Sequence, residues 1–281
     1  MKKVQLILVC LFITALASAQ KVKVKKGEVF IDKVKVAHIE KVKGDGSTKY
    51  YQISDLEKKP LFKAQEMLQS SLLFGSDKTF PFRAYYGDQI ADTIVINKKN
   101  YWLSEKRVIQ YALEIGIFSV NGFDPSKTKE IASQTPKRPD WILKRLDEEK
   151  ELLPGKGHKV ERKFNDTDIF VKSYAAKNAI SQLNKSMVNQ MKFDIYQGDP
   201  EADSILIGHA IYEYGTINGE YLFIFNTKKV PVGSYNKATF KIYDLKQEQG
   251  LLDHGLGSLS SDKRNNTVRE MAIKLIQKEV L

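Results

Sequence analysis

The stretch from Ser204 to Leu245 constrains the fold more tightly than any other part of the chain. Its first run, Ser204 to Tyr214 (SILIGHAIYEY), and its second, Glu220 to Asn226 (EYLFIFN), are rich in β-branched and aromatic residues. Between them Thr216 to Gly219 supplies an Asn218-Gly219 turn that suits positive φ. The pattern predicts a β-hairpin. Side chains alternate across a strand, so Ile205, Ile207 and Ile211 are expected on one face and Leu206, Ala210 and Tyr212 on the other. Tyr221, Phe223 and Phe225 against Leu222 and Ile224 repeat the pattern. Both faces are apolar, so the hairpin belongs in the middle of a sheet covered on both sides.

The rest of the chain is read outward from that hairpin. Lys21 to Lys25 alternates Lys and Val, which suits an edge strand whose lysines discourage sheet-to-sheet aggregation. Glu28 to Ile31 and Val34 to Val42 read as strands around Asp32-Lys33, followed by a turn at Gly44-Asp45-Gly46. Lys49 to Ser54 and Leu61 to Ala64 make a further pair, and Gln65 to Phe74 a short helix ending at Gly75. Phe80 to Tyr86 and Thr93 to Asn97 continue the strands. The period then changes: Ser104 caps a helix running to Ile115, with Val108, Ala112 and Ile115 on its apolar stripe. Asn121 to Asp140 is a polar, proline-bearing boundary, and Trp141 to Leu153 a helix stopped by Pro154-Gly155. Lys159 to Phe164, Asp168 to Val171, Phe193 to Gln197 and Thr239 to Leu245 read as strands, and Tyr174 to Met191 as a helix on its Ala, Gln, Leu and Met content. Thr267 and Glu270 are spaced as a capping box for a last helix lying on the sheet through Val268, Met271, Ala272, Leu275 and Ile276.

Composition bounds the compartment and the chemistry. Lys2 and Lys3, an apolar run from Leu6 to Ala17 and the small residues Ala17-Ser18-Ala19 have the form of an export signal cleaved before Gln20. Cys10, the single cysteine, falls inside that run, so the exported chain is expected to be free of thiols. That excludes a cysteine nucleophile, a thiolate zinc site and iron–sulfur ligation. No later stretch matches the ~20 apolar residues of a spanning helix. The formal charge of +11 loses two units with Lys2 and Lys3, and the surplus is mostly lysine. A basic exported protein could meet an anionic envelope polymer or glycan, although a solvated lysine-rich surface is the simpler explanation of the charge. Nucleic acid is the poorest candidate, because arginine is sparse and no zinc-finger or aromatic RNA-binding signature is present.

The motifs of chemistry are thin. Of the four histidines, His38, His158, His209 and His254, only His209 has a suggestive neighbour. Glu213 shares its strand face, but at about 13 Å by strand rise it is beyond hydrogen-bond reach. The Ser-x-x-Lys spacing of penicillin-recognising enzymes occurs at Ser126/Lys129, Ser234/Lys237 and Ser260/Lys263 without the accompanying Lys-Thr-Gly element. Gly155-Lys156-Gly157-His158 and Gly255-Leu256-Gly257-Ser258 lack phosphate-loop spacing and read as turns. Asp199, Glu201 and Asp203, at alternate positions before the central hairpin, are the best metal candidates, with calcium the ion that clustered oxygen ligands would take. Asn165, Asp166 and Asp168 form a weaker cluster. Either could supply one of the paired carboxylates of a glycosidase. Tyr85-Tyr86, Tyr101-Trp102, Trp141, Tyr212, Tyr214 and Tyr221 could stack on a glycan, though aromatic residues at strand positions more often fill a core.

The expectation is therefore an exported α+β protein with mainly antiparallel β-sheets, a helical middle segment and a C-terminal helix packed on the second sheet. Residues 1–19 are the cleaved signal, 20–120 a β-rich lobe ending in a helix, 121–158 a linker and helix, and 159–281 an α+β lobe. Its expected role is non-enzymatic binding or structure at the cell envelope or exterior. The alternative is a carboxylate-based hydrolase acting on a glycan or other envelope polymer.

Overall fold

A computed structural model describes residues 20–44, 49–184, 186–214, 219–236, 239–243, 249–253 and 264–281. The fold is α+β. Two seven-stranded antiparallel sheets, a two-stranded ribbon, four α-helices and a short 3-10 helix at Leu153–Gly157 account for the regular structure among the described residues. They form two compact units, the chain up to Gln69 with Pro81–Leu143, and Ser70–Phe80 with Lys144–Leu281.

The first unit is built on a sheet whose strands lie in sequence order, β1 (Val22–Lys25), β2 (Glu28–Ile31), β3 (Val34–Lys43), β4 (Lys49–Ser54), β5 (Pro60–Ser71), β6 (Gly75–Tyr86) and β7 (Ile94–Ile96), with the tip of the β5–β6 hairpin, Ser70–Phe80, belonging to the second unit. Short turns connect neighbours, as at Asp32 and Lys33, whose φ values of 49° and 71° are the two positive angles of a tight hairpin. Lys23 and Lys25 are exposed on the edge strand β1 while Val22 is buried, as the alternation requires. α1 (Glu105–Glu114) starts at Ser104, whose side chain accepts from the Arg107 amide, and buries Val108, Ile109 and Ala112. They pack with Ile31, Ile39, Ile53 and Phe62. Tyr85 lies fully buried in this core with its hydroxyl donating to the Val108 carbonyl at 2.6 Å, and burial pushes its phenol pKa well up. The ribbon of β8 (Phe118–Ser119) and β9 (Gly122–Phe123) adds Phe118 and Phe123 against Phe62.

The second unit repeats the sequential order with β10 (Ile169–Ile180), β11 (Met187–Gly198), β12 (Ser204–Tyr214), β13 (Tyr221–Asn226), β14 (Pro231–Asn236), β15 (Thr239–Tyr243) and β16 (Gln249–Asp253). The C-terminal helix α4 (Arg264–Gln277) packs Val268, Met271, Ala272, Leu275 and Ile276 with Ile195, Ala210, Leu222, Ile224 and Phe240. Over the other face of β13 and β15 lies the turn of the β5–β6 hairpin, where Leu73 and Phe74 cluster with Phe223, Phe225 and Tyr243. The Phe74 ring meets Phe223 edge-on at 5.9 Å and Tyr243 at 6.1 Å. The central hairpin is thus covered on both faces along β13 and the end of β12, as its two-sided pattern demands.

Several local expectations are corrected. The alternation in β12 is broken by a bulge: Ile195 pairs with Gly208 and Tyr196 with Leu206, so Ile207 is the extra residue. Ile205 and Ile207 therefore share the α4 face with Ala210 and Tyr212, and Ile211 turns to the other side. A Cβ at Gly208 would come within 2.6 Å of the Phe225 carbonyl oxygen, so the bulge needs glycine. Gln65 to Phe74 is not helical but the end of β5 and its turn, and Tyr174 to Met191 is the β10–β11 hairpin. In both cases pairing with neighbouring strands overrides a weak helix propensity. Lys159 to Phe164 is irregular. Asn121 to Asp140 holds α2 (Pro125–Gln134), capped by Asp124 with proline at its first position. α3 (Asp140–Leu152) follows, with Asn97 and Asp140 exchanging hydrogen bonds at its start. Thr267 lies inside α4, which begins three residues earlier.

Candidate functional site

Each sheet buries one face under a helix, and the polar chemistry collects on what remains uncovered. On the second sheet the open area spans β10, β11 and the start of β12. The register sets Phe170 opposite Tyr196, and the two rings stack at 5.1 Å with planes 8° apart. The Lys172 ammonium sits over both, 5.7 Å from the Phe170 centroid and 5.1 Å from that of Tyr196. One row along, Asp194 pairs with His209, whose Nδ1 lies 2.8 Å from Asp194 Oδ1. A carboxylate can only accept there, so Nδ1 carries the proton and Nε2 is left for water or a ligand. The Tyr174 hydroxyl donates to the same Asp194 oxygen at 3.5 Å, and partial burial and that carboxylate both raise the phenol's pKa. Tyr174 is half exposed. The arrangement offers two aromatic faces, a cation, and an imidazole held in orientation by a carboxylate.

The first sheet carries a related surface on the side away from α1. Tyr50 lies opposite Gln65 and Gln52 opposite Lys63. Lys63 Nζ lies 5.7 Å from the Tyr50 ring centroid, and the Tyr86 hydroxyl donates to the Gln65 side chain. Next to this patch, His38 pairs with Ser54 and Glu40 with Gln52 across β3 and β4. Those residues line a half-open cleft of about 260 Å³ with Lys26 and Lys58.

A third group of ionisable residues is sealed inside the second unit and is structural. Glu213 is fully buried and accepts from Ser181 Oγ at 2.7 Å, the Gln182 amide at 2.6 Å and Gln190 Nε2 at 3.0 Å. Glu149 treats the other hairpin turn in the same way, accepting from Ser71 Oγ and the Leu72 amide. In each turn the serine hydroxyl then accepts the amide two residues on, Leu183 or Leu73. Lys78 donates to the Gln182 carbonyl at 2.7 Å, and burial lowers its ammonium pKa. Asp77 receives Ser234, Lys241 and Tyr243. Every carboxylate here is committed to a turn or a strand, and none opens into a cleft of the described residues.

The residues singled out from sequence fare unevenly. Asp199, Glu201 and Asp203 are exposed on the turn from β11 to β12. Asp199 Oδ1 accepts from the Glu201 amide at 2.8 Å and its own amide donates to the Asp203 carbonyl at 3.0 Å, a turn closed by its own bonds. Among the described residues no three His, Asp or Glu side chains gather as a metal ligand set would. Asp166 and Asp168 are also exposed, bound to Arg162 and Asn165. The five carboxylates therefore lack the convergence on which a glycosidase would depend. Ser126 bonds its own helix cap, Asp124, and Ser234 is buried against Asp77 and Tyr243. Lys237, Ser260, Lys263, His254 and the Gly255 to Ser258 run lie outside the described residues, as do residues 1–19. The partner of His209 is Asp194, which no spacing argument reaches, because the two are brought together by strand register alone. Phe170, Tyr174 and Tyr196 were likewise invisible as a surface, since Tyr174 reads as helical, while Tyr85, Tyr212 and Tyr221 pack inside. No helix among the described residues is long and apolar enough to cross a membrane. No family model matches the chain, and neither a curated protein nor a solved structure matches it.

Proposed function

We propose that the chain is an exported, non-enzymatic binding protein of the cell envelope or exterior, and that it holds an anionic glycan on the open part of its second sheet. The observation that carries the reading is the stacked Phe170–Tyr196 pair beneath the Lys172 ammonium on a surface left uncovered. Flat aromatic faces take the apolar C–H side of a sugar ring, the ammonium takes a carboxylate or phosphate, and His209 with Tyr174 supplies hydrogen bonds to hydroxyls. The excess of lysine across the chain draws a polyanion toward the surface before contact is made.

The test is retention of the purified chain, without residues 1–19, on envelope polysaccharide at low and moderate salt. Retention is expected to weaken with salt, because exposed charges are screened. The double variant Phe170→Ala/Tyr196→Ala is expected to bind about tenfold more weakly while its circular dichroism is unchanged. No association at either salt would remove the proposal.

A further inference from the structure

We infer that the cleft on the first sheet is a second binding site, for a single acidic sugar unit. This inference adopts the glycan as the ligand class but rests on a different unit and on different residues. The cleft of about 260 Å³ is smaller than a drug-sized pocket and fits one ring. Its two exposed lysines both sit in the left-handed backbone region, Lys26 at φ 49° and Lys58 at φ 65°. Each stands in a turn where asparagine or glycine would hold that conformation at lower cost. Lys33 and Lys229 share that backbone region, so what sets Lys26 and Lys58 apart is that both line the same cleft and give it two basic residues.

The other walls narrow the ligand. Gln52 Nε2 donates to the Ile53 and Phe62 carbonyls, both at 3.1 Å, and to Asp88 Oδ2 at 3.2 Å. Its donors are committed, so the group it offers the cleft is its oxygen, an acceptor. Exposed Glu40 at the rim is a second acceptor, and His38 and Ser54 face each other across β3 and β4. A bare anion would be repelled by Glu40 and would leave both acceptors idle. A sugar carrying a carboxylate satisfies both halves: its acid meets Lys26 and Lys58, and its hydroxyls donate to Gln52 and Glu40.

The experiment titrates the chain with glucuronate, glucose and inorganic phosphate, following affinity by calorimetry and the His38 ring resonances by NMR. Glucuronate is expected to bind and to shift His38, with glucose and phosphate at least tenfold weaker. Lys26→Asn/Lys58→Gly is expected to melt at a higher temperature than the parent and to lose glucuronate binding by at least tenfold. These opposite signs separate a lost ligand contact from a damaged fold. Phe170→Ala/Tyr196→Ala is expected to bind the monosaccharide like the parent. Equal binding of glucose or phosphate, unchanged binding in the lysine variant, or loss in the aromatic variant would each overturn the assignment. Failure of glucuronate to bind would overturn it too, while leaving polysaccharide retention by the second sheet as a separate result.

Discussion

In both sheets the strands follow one another in sequence order, each antiparallel to the last, and the next long helix returns to the first strands, α1 to β1 and β3, α4 to β10 and β11. What differs is the face each helix leaves behind. On the first sheet that face carries Tyr50, Gln52, Lys63, Gln65 and Tyr86, groups that water or one another can satisfy. On the second sheet it carries Ile211, Phe223, Phe225 and Tyr243 along β12 to β15, and these are covered by Leu73 and Phe74. Burying each large apolar side chain stabilises the fold by roughly 1.5–3 kcal/mol, so a face rich in them acquires cover and a face of amides and lysines does not. One topology thus yields an exposed surface or a sealed one according to the residues at alternate positions. The second sheet makes both choices along a single face, open at Phe170 and Tyr196, closed at Phe223.

The distinction is broken most directly at Phe74. Phe74→Ala removes the ring that packs on Phe223 and Tyr243, and is expected to cost about 3–5 kcal/mol in urea unfolding. Tyr50→Ala, on the open face of the first sheet, is expected to change stability by less than about 1 kcal/mol. Similar losses at the two positions would mean that the covered and open faces do not differ in energy.

A smaller effect is expected from the carboxylates. Glu213→Ala leaves the Ser181 hydroxyl, the Gln182 amide and a Gln190 donor without their buried acceptor, at a cost of about 2–3 kcal/mol. Glu40→Ala, on the open face, is expected to stay within about 0.5 kcal/mol. Hydrogen exchange checks the cause, because the Gln182 amide should lose protection in the first variant and keep it in the second.

How far this division can be read from sequence follows from how local its causes are. Tyr221 to Asn226 announces by its alternating bulk that both faces are covered, and the structure agrees. The cover itself, Leu73 and Phe74, lies some 150 residues earlier, and a run such as Gln69 to Phe74 has no period that tells a turn from a helix end. The caps at Ser104 and Asp124 are equally local, yet Pro125, Pro136 and Pro139 together make the stretch read as a boundary and mask the Asp124-Pro125 start signal. The bulge at Ile207 costs the reading of β12 its faces, and with them any view of which aromatics would be open. The sites are less legible than the fold because His209 with Asp194, and Phe170 with Tyr196, are neighbours only through register. Register is a property of paired strands, and no one strand encodes it.

The finest comparison is between lysines held at positive φ in the two units, Lys33 at 71° between β2 and β3 and Lys229 at 59° between β13 and β14. Glycine relieves the left-handed strain at either position but adds freedom to the unfolded chain, so the net gain is expected to be only about 0.5–1 kcal/mol. The surroundings set the order. At the second turn Asn226 Oδ1 accepts from the Lys228 and Val230 amides, its Nδ2 donates to the Gly155 carbonyl at 2.6 Å, and the Lys229 amide donates to the Asn226 carbonyl. That cage holds the backbone whatever the side chain, so Lys229→Gly is expected to release the strain in full. Among the described residues, the two-residue turn at Lys33 is tied to Lys21 through Asp32, whose amide donates to the Lys21 carbonyl and whose Oδ1 accepts from the Lys21 amide. A turn less tightly held can already relax, and Lys33→Gly is expected to gain less in melting temperature than Lys229→Gly. The reverse order would locate the strain in the exposed turns of the first unit, where Lys26 and Lys58 also lie.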